Sequence, residues 1–232
     1  MSSDSQHRPQ FIYGTAWKEE RTAELTGLAL ETGFRAIDTA NQRKHYHEAA
    51  VGEAIVDACD EGLVERDELF VQTKFTHVSA QGDHIPYDPD AAPATQVEQS
   101  FESSLDHLGV DRLDSYLLHG PSTRSGWSDV DREVWRAMEA LHDDGRVDAI
   151  GVSNVTPGQL EQLVELADVA PSYVQNRCFA RTGWGRETRE ICDSHGVRYQ
   201  GFSLLTANRR ALTSETIVDI ADRRDRTVPQ IV

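Results

Sequence analysis

Three side chains that can hold or transfer a proton stand at the ends of short apolar runs in this sequence. Asp38 lies near the end of FRAIDTA, Lys74 near the end of LFVQTKF, and His119 closes LDSYLLH. An acid, an amine and an imidazole are costly to bury without a purpose, so together they predict a site for proton transfer. Taken one at a time, Asp38 and Lys74 could form a structural ion pair, and His119 could be a core histidine.

These residues belong to a regular alternation of apolar strands and amphipathic helices. The apolar runs predict strands at 11–16, 34–40, 69–75, 113–119, 147–154, 173–179 and 198–205. Helices are predicted between them at 22–33, 47–62, 95–108, 132–146, 159–168 and 186–196. The first helix has Thr22 as its expected N-cap and Gly33 as its expected stop. This alternation predicts a parallel sheet.

The positions of the polar residues distinguish a closed barrel from an open, doubly wound sheet. Polar residues lie at or just beyond the carboxyl ends of successive strands, at Asp38, Lys74, His119, Asn154, Asn176 and Ser203. In a barrel those ends converge on one mouth, whereas in an open sheet they spread along an edge. No GxGxxG turn, the usual dinucleotide signature of an open sheet, follows the first strand. We therefore expect an α/β fold of the (β/α)8 TIM barrel type.

The chain has room for about seven of the eight strand-and-helix units of such a barrel, since its 232 residues fall short of the roughly 250 that are typical. We expect a polar N-terminal tail at 1–10 and a single barrel domain at 11–232, because no change in composition marks a second domain. The helix after the seventh strand is predicted to be still running at the last residue. An eighth strand would then begin beyond residue 232.

The charge balance excludes some classes of partner. Asp and Glu number 39 against 23 for Lys and Arg, which gives a formal net charge of −16. Binding to nucleic acid or to an anionic membrane is therefore not expected, because phosphate contacts need an excess of basic residues. The lysines are Lys18, Lys44 and Lys74, and the other basic residues are arginines. An acid-rich, lysine-poor surface is typical of a high-salt cytosol, with an acidic protein at ordinary salt as the alternative.

The cysteines and the apolar runs predict a cytoplasmic protein. Cys59, Cys178 and Cys192 form an odd set without CxxC spacing, which indicates neither a disulfide framework nor a zinc cluster. The N-terminus has no apolar signal core, and no run approaches the roughly 18 residues that span a bilayer. His45 and His47 have no Asp or Cys at ligand spacing, so we expect no metal site there.

Five short motifs in order on successive strands resemble those of the aldo-keto reductases. They are GFRAIDTA, VQTKF, YLLHGP, IGVSN and YVQN, and the resemblance extends over about residues 10–232. The family consists of NADPH-dependent carbonyl reductases built on a (β/α)8 barrel. The resemblance thus implies transfer of hydride from NADPH, or from NADH, to the carbonyl of a small-molecule aldehyde or ketone.

The family's catalytic set is an Asp, a Tyr, a Lys and a His, and the resemblance places three of them at Asp38, Lys74 and His119. The tyrosine does not align directly, because the family pattern D-T-A-x-x-Y puts Arg43 at its position. A small loop insertion brings Tyr46 or His45 there instead. Tyr46 is favoured, since the Lys74 ammonium would stabilise the conjugate base of this weak acid. His45 is the alternative proton donor.

The resemblance also implies residues that would hold the cofactor and the substrate. Ser153, Asn154 and Gln175 match side chains that bind the nicotinamide carboxamide, and Phe202 replaces the family's Tyr stacked on that ring. The rest of the cofactor cleft is implied at Gly14, Thr15, Ser203, Leu205 and Thr206. Trp17 would wall the substrate pocket, with core packing as its alternative. Tyr87, in the loop at 76–94, is a further residue that could reach the substrate.

The family's segment beyond the seventh unit carries an eighth strand and residues that grip the adenosine 2′-phosphate, and this chain does not contain it. Three functions are therefore open at this point. They are an active NAD(P)H-dependent reductase, a nucleotide-binding regulatory or sensing subunit on the same barrel, and an inactive, shortened reductase. The combination of Asp, Lys and His favours a catalyst over a sensor, because binding alone does not need it.

Overall fold

The structure, a computed structural model, describes residues 9–232 and contains one seven-stranded parallel sheet in which each strand pairs with the next. Residues 1–8 of the expected tail lie outside the described residues. The strands are β1 Tyr13–Gly14, β2 Ala36–Asp38, β3 Phe70–Phe75, β4 Ser115–Leu118, β5 Ile150–Ser153, β6 Tyr173–Arg177 and β7 Arg198–Phe202. All seven predicted strands are present, each shorter than its apolar run.

Helices join the strands and cover the outside of the sheet. Six follow the first six strands: α1 Thr22–Glu31, α2 Glu48–Asp60, α3 Pro93–Leu108, α4 Asp129–Asp143, α5 Pro157–Leu166 and α6 Arg186–His195. After β7 come α7 Leu204–Ala207, α8 Arg209–Leu212, α9 Glu215–Arg224 and α10 Val228–Ile231. The six predicted helices are therefore present, with boundaries shifted by a few residues.

Two predictions about helix ends are wrong. Thr22 is not an N-cap, because its hydroxyl donates to the carbonyl of Glu19 over 2.7 Å and α1 begins at Thr22 itself. The helix predicted to continue to the last residue instead ends at Arg224, where Asp225 adopts a left-handed φ of 49°. Gly33 has the positive φ, 99°, expected of a helix stop.

The sheet is curled as in a barrel. Gln72 on β3 and Gln200 on β7 exchange two amide hydrogen bonds of 2.9 and 3.0 Å, although three strands separate β3 from β7 in the sheet order. In an open sheet these side chains would be too far apart to touch, because neighbouring strands lie about 4.8 Å apart. The described part of the chain is thus a (β/α)8-type barrel with seven units, in which β1 and β7 are not paired with each other.

Alternate residues of each strand face the barrel interior or the helices. On β3, Val71 and Phe75 pack in the large cluster under the helices. Phe70 faces inward and contacts the ring of Tyr173 edge-on, with 5.7 Å between centroids. The inward cluster of Ala36, Phe70, Leu117 and Tyr173 forms an apolar floor. Above this floor the inward positions of β3 are Gln72 and Lys74, so polar side chains fill the upper interior.

The start of α2 is anchored firmly, and this anchor fixes the loop before it. Glu48 is 1% exposed, and its carboxylate accepts hydrogen bonds from Thr73 on β3 and from Ser104 on α3. Gly52 lets α2 and α3 approach closely, because a Cβ on it would lie 2.0 Å from the carbonyl oxygen of His107. Tyr46 precedes this anchored helix by two residues and is positioned by it.

Candidate active site

A buried ion pair joins β2 and β3 at the mouth of the barrel. Nζ of Lys74 donates to Oδ1 of Asp38 over 2.6 Å and to the carbonyl of Thr39 over 2.7 Å. Lys74 is fully buried and Asp38 is 8% exposed. Burial lowers the pKa of Lys74, and the carboxylate of Asp38 opposes that shift. Asp38 therefore helps to keep the amine charged in a place where burial disfavours the charge.

Glutamine amides also bind the same carboxylate oxygen. Oδ1 of Asp38 accepts from Nε2 of Gln72 over 2.7 Å and from Nε2 of Gln175 over 3.0 Å. Gln200 accepts from both of these amides, at 2.9 and 3.1 Å. Sequence reasoning missed Gln72 and Gln200. The signal that could have found Gln72 is its spacing of two from Lys74, which puts both on the inward face of β3.

Tyr46 lies beside both Lys74 and His119. Its ring meets the ring of His119 edge-on, with 5.8 Å between centroids, and Nζ of Lys74 is 5.4 Å from the centroid of Tyr46. Burial and the negative charge of Asp38 raise the pKa of Tyr46. This direction is opposite to the one expected from Lys74 alone, because burial above all, and then the charge of Asp38, disfavours the phenolate. Tyr46 is therefore a protonated phenol at neutral pH.

His119 is held as a neutral imidazole. Burial lowers its pKa to about 3, and electrostatic interactions with Lys74 and His45 act in the same direction. Oγ1 of Thr76 lies 2.7 Å from Nδ1 of His119. When the hydroxyl donates to Nδ1, the ring proton is on Nε2 and can be donated elsewhere. Sequence reasoning also missed Thr76, which follows Lys74 by two residues.

Trp17 and His45 form the outer wall of the site. Their rings are in contact, tilted by 32° with 3.8 Å between centroids, and the Trp17 amide donates to the carbonyl of His45 over 2.8 Å. Trp17 is 66% exposed and has a φ of 62°, so core packing is not its role. A cavity of about 360 Å³ is lined by Trp17, His45 and Tyr46 together with neighbouring residues. A small molecule in it would lie against Tyr46.

A larger cavity of about 1040 Å³ lies between β1 and β7. Its lining includes Gly14, Asp38, Gln175, Phe202 and Ser203. Ser203 has a φ of 56°, a conformation that is uncommon outside glycine and turns the chain sharply after β7. Leu205 and Thr206 are exposed on α7 and do not line the cavity. The cavity lining thus contains five of the predicted cofactor and catalytic residues. The other predicted cofactor residues are outside it: Thr15, Ser153, Asn154, Leu205 and Thr206.

Polar groups at the ends of β5 and β6 could form hydrogen bonds with a carboxamide. Asn154, with a φ of 56°, donates from Nδ2 to the carbonyl of His119 over 2.8 Å and to Oγ of Ser153 over 3.1 Å. Ser153 Oγ donates to the carbonyl of Gln175 over 2.7 Å. Within residues 9–232, no hydrogen bond is seen at Oδ1 of Asn154 or Oε1 of Gln175. Two acceptors are therefore available to an NH₂ group, which fits a nicotinamide carboxamide.

Two predicted residues are already engaged within the protein. Oγ1 of Thr15 donates to the carbonyl of Asp38 over 3.0 Å, so this hydroxyl ties β1 to β2. Tyr87 does not reach the site. Its hydroxyl donates to the carbonyl of Thr76 over 2.5 Å, and its ring stacks on Phe75 in the core. Tyr87 therefore packs beneath the strand end that carries Thr76.

Metal and membrane features are not seen in the described part of the chain. Residues 9–232 hold no group of three or more His, Cys, Asp or Glu side chains that could bind a metal ion. Among the same residues, no helix combines the length and the apolar character needed to cross a bilayer.

The comparison with known proteins agrees with this geometry. Residues 10–227 match the model of the Aldo/keto reductase family. The chain is 32% identical to the glyoxal reductase of Bacillus subtilis (strain 168) over 209 residues, which are 90% of this chain and 67% of that protein.

Solved structures give the same result. An aldo-keto reductase from a Medee basin deep-sea metagenome library is similar with a TM-score of 0.80 and 29% identity, over 97% of this chain and 75% of that one. The Bombyx mori aldo-keto reductase in complex with NADP has a TM-score of 0.76 and 25% identity, again over 97% of this chain and 75% of that one.

The fold and the matched sequence define an NAD(P)H-dependent carbonyl reductase on a (β/α)8-type barrel. The chain belongs to the aldo/keto reductase family. It is therefore an oxidoreductase that acts on small-molecule carbonyl compounds with NAD(P)H.

Proposed function

We propose that Tyr46 donates the proton in this reduction and that Asp38, Lys74 and His119 support it. The observation that carries the proposal is the position of Tyr46, whose ring lies beside the His119 ring and 5.4 Å from the Lys74 ammonium. Lys74 is in turn bound to Asp38. A buried carboxylate and amine beside a phenol and a neutral imidazole are what reduction of a carbonyl needs, because negative charge develops on the oxygen.

The cofactor, when bound, supplies the hydride that adds to the carbonyl carbon. We assign its nicotinamide to the barrel mouth, at the end of the larger cavity that Phe202 and Gln175 line, with Phe202 beneath the ring and Ser153, Asn154 and Gln175 at its carboxamide. The free oxygens of Asn154 and Gln175 support this assignment, and an aromatic face suits a planar ring. Gly14 and Ser203 line the same cavity, and Thr15 contributes through the backbone that it ties down. Leu205 and Thr206, which lie outside the cavity on α7, complete the proposed cofactor site beyond the nicotinamide.

Tyr46 and His119 have different roles at the carbonyl oxygen. Nε2 of His119 donates a hydrogen bond that orients the oxygen, since Thr76 occupies Nδ1 and the ring is neutral. Tyr46 holds its proton until negative charge develops on that oxygen, and then releases it to the oxygen. The Lys74 ammonium stabilises the phenolate that this leaves behind, at the moment when the phenol alone would be too weak an acid.

The smaller cavity is the proposed substrate site, with Trp17 as its wall. Its volume of about 360 Å³ suits a small aldehyde or ketone in contact with Tyr46. Isothermal titration of NADPH, followed by turnover of a panel of small aldehydes monitored by the absorbance of the reduced nicotinamide, tests the proposal. Tight binding with measurable turnover supports it. Binding without turnover of any aldehyde or ketone would favour a sensing subunit instead.

We propose, from composition alone, that the protein works as a single domain over 11–232 in a high-salt, reducing cytoplasm and does not bind nucleic acid. The net charge of −16 supports this, because dissolved ions would screen the repulsion between carboxylates. We expect the free energy of unfolding to rise as KCl is raised from dilute to molar concentration. Urea unfolding at a series of KCl concentrations measures this, and full stability in dilute buffer would refute the high-salt proposal.

A further inference from the structure

Cations and aromatic rings alternate in a stack that begins at Phe202. The guanidinium carbon of Arg177 lies 5.4 Å from the ring centroid of Phe202 and 5.6 Å from that of Phe179. The guanidinium carbon of Arg181 lies 4.9 Å from the ring centroid of Phe179. The order of the stack is therefore Phe202, Arg177, Phe179 and Arg181.

Strand pairing holds Arg177 beside Phe202. Arg177 is the last residue of β6 and is in register with Phe202, the last residue of β7. The amide of Cys178 then donates to the carbonyl of Phe202 over 3.0 Å, which extends the pairing by one more bond. The contact between the guanidinium and the ring is thus set by two paired backbones rather than by two free side chains.

The charge of Arg177 is not neutralised by a carboxylate. Arg177 is exposed, and among residues 9–232 no Asp or Glu lies within ion-pair distance of it, in a chain whose net charge is −16. Its positive charge is instead met by the π faces of Phe202 and Phe179. The guanidinium that contacts the Phe202 ring therefore has no carboxylate partner among residues 9–232.

Phe202 also faces the larger cavity. Phe202 and Ser203 line that cavity together with Asp38 and Gln175, whereas Arg177 is not among its lining residues. A planar ligand ring that stacked on Phe202 from the cavity would therefore lie close to the guanidinium that contacts the same ring.

We propose that Arg177 makes this site bind NADPH in preference to NADP⁺, an inference that rests on the proposed stacking of the nicotinamide on Phe202. The oxidised nicotinamide carries a positive charge and the reduced ring is neutral. The face of a phenyl ring attracts a cation, but a cation already stacked on the same ring repels a second one. Arg177 thus disfavours the oxidised form and leaves the reduced form nearly unaffected.

The consequence is faster release of the oxidised cofactor and weaker inhibition by it. Because Arg177 is exposed, solvent screens the repulsion. We expect Arg177 to change the ratio of the two dissociation constants by about three- to fivefold. This effect is independent of the hydride step, since it concerns the binding of each cofactor form alone.

The experiment is calorimetric titration of NADPH and of NADP⁺, each without substrate, at one fixed salt concentration. The proteins are the wild type, Arg177→Gln, Arg177→Lys and Arg181→Gln. Arg181→Gln is the matched control, because Arg181 stacks on Phe179 and not on Phe202. We expect Arg177→Gln to bind NADP⁺ about three- to fivefold more tightly relative to NADPH than the wild type does. The other two variants should keep the wild-type ratio of the two dissociation constants. Arg177→Met is a second neutral variant if Arg177→Gln does not fold.

Three results would overturn the inference. Equally weaker binding of both cofactor forms by Arg177→Gln would indicate that Arg177 contacts a phosphate group of the cofactor. The same shift in Arg181→Gln would reveal a general effect of surface charge. An unchanged ratio in both neutral Arg177 variants would show that the stack does not affect the cofactor's charge state. Failure of the wild type to bind either cofactor would be a separate result, which refutes the proposed function itself.

Discussion

Lys74 donates to Oδ1 of Asp38 over 2.6 Å, and the same oxygen accepts from the amides of Gln72 and Gln175. Three donors therefore converge on one oxygen of the Asp38 carboxylate. The charge on Asp38 in turn offsets the burial of Lys74, which otherwise lowers the pKa of that amine.

Replacing Asp38→Asn should destabilise the fold, because it leaves the buried Lys74 amine without its counter-charge. We expect a loss of about 3–5 kcal/mol in the free energy of unfolding, measured by urea denaturation at neutral pH. The control is the double variant with Lys74→Met added, which should recover most of that loss, since a buried apolar chain needs no partner. Equal stability of the single and double variants would show that the ion pair contributes little to the free energy of unfolding.

Tyr46→Phe should nearly abolish carbonyl reduction and leave NADPH binding unchanged. The variant removes the phenolic proton and keeps the ring against His119, so we expect kcat to fall by about 10²–10⁴. Stopped-flow turnover together with calorimetric titration of NADPH separates the two effects. His45→Phe is the matched variant and should retain substantial turnover. The opposite outcome, with turnover kept in Tyr46→Phe and lost in His45→Phe, would move the acid role to His45.

Thr76→Val should weaken catalysis without affecting cofactor affinity. It removes the hydroxyl 2.7 Å from Nδ1 of His119, so the ring proton is no longer directed to Nε2. We expect kcat to fall about tenfold, a loss comparable to that of one net hydrogen bond. Thr76→Ser, which keeps the hydroxyl, should restore most of it. If Thr76→Ser is as slow as Thr76→Val, packing of the lost methyl group is responsible, and the tautomer argument is wrong.

The depressed pKa of His119 should make the fold sensitive to acid. In the unfolded chain His119 binds a proton near pH 6.5, but in the fold it does so at about 3. The stabilisation is therefore complete above pH 6.5 and is lost as the pH falls from about 6.5 towards 3. One proton corresponds to about 1.4 kcal/mol per pH unit in this window.

Comparison of the wild type with His119→Gln isolates this effect from other titrating groups. The free energy of unfolding of the wild type, minus that of the variant, should decrease as the pH is lowered through the window. Urea midpoints at pH steps between 7 and about 4 provide the measurement. A difference that stays constant with pH would mean that His119 titrates alike in the folded and unfolded chains.

The order of the strands and the side chains at their ends can be predicted from the amino-acid sequence alone. Period-two alternation in runs such as LFVQTKF places Lys74 on one face, and parallel strands bring Asp38 and His119 to the same mouth. These properties are local or depend on topology alone. They were therefore accessible without coordinates, as was the family resemblance that the motifs carry.

Features that depend on distances across the barrel or on loop geometry could be found only in the folded chain. The loop at 41–47 is not periodic, so the anchoring of Glu48 was needed to place Tyr46 rather than Arg43 beside Lys74. The contacts of Gln72 with Gln200 join residues 128 positions apart. The raised pKa of Tyr46 follows from burial and from Asp38, two quantities that a sequence does not contain, because both arise only when the chain is packed.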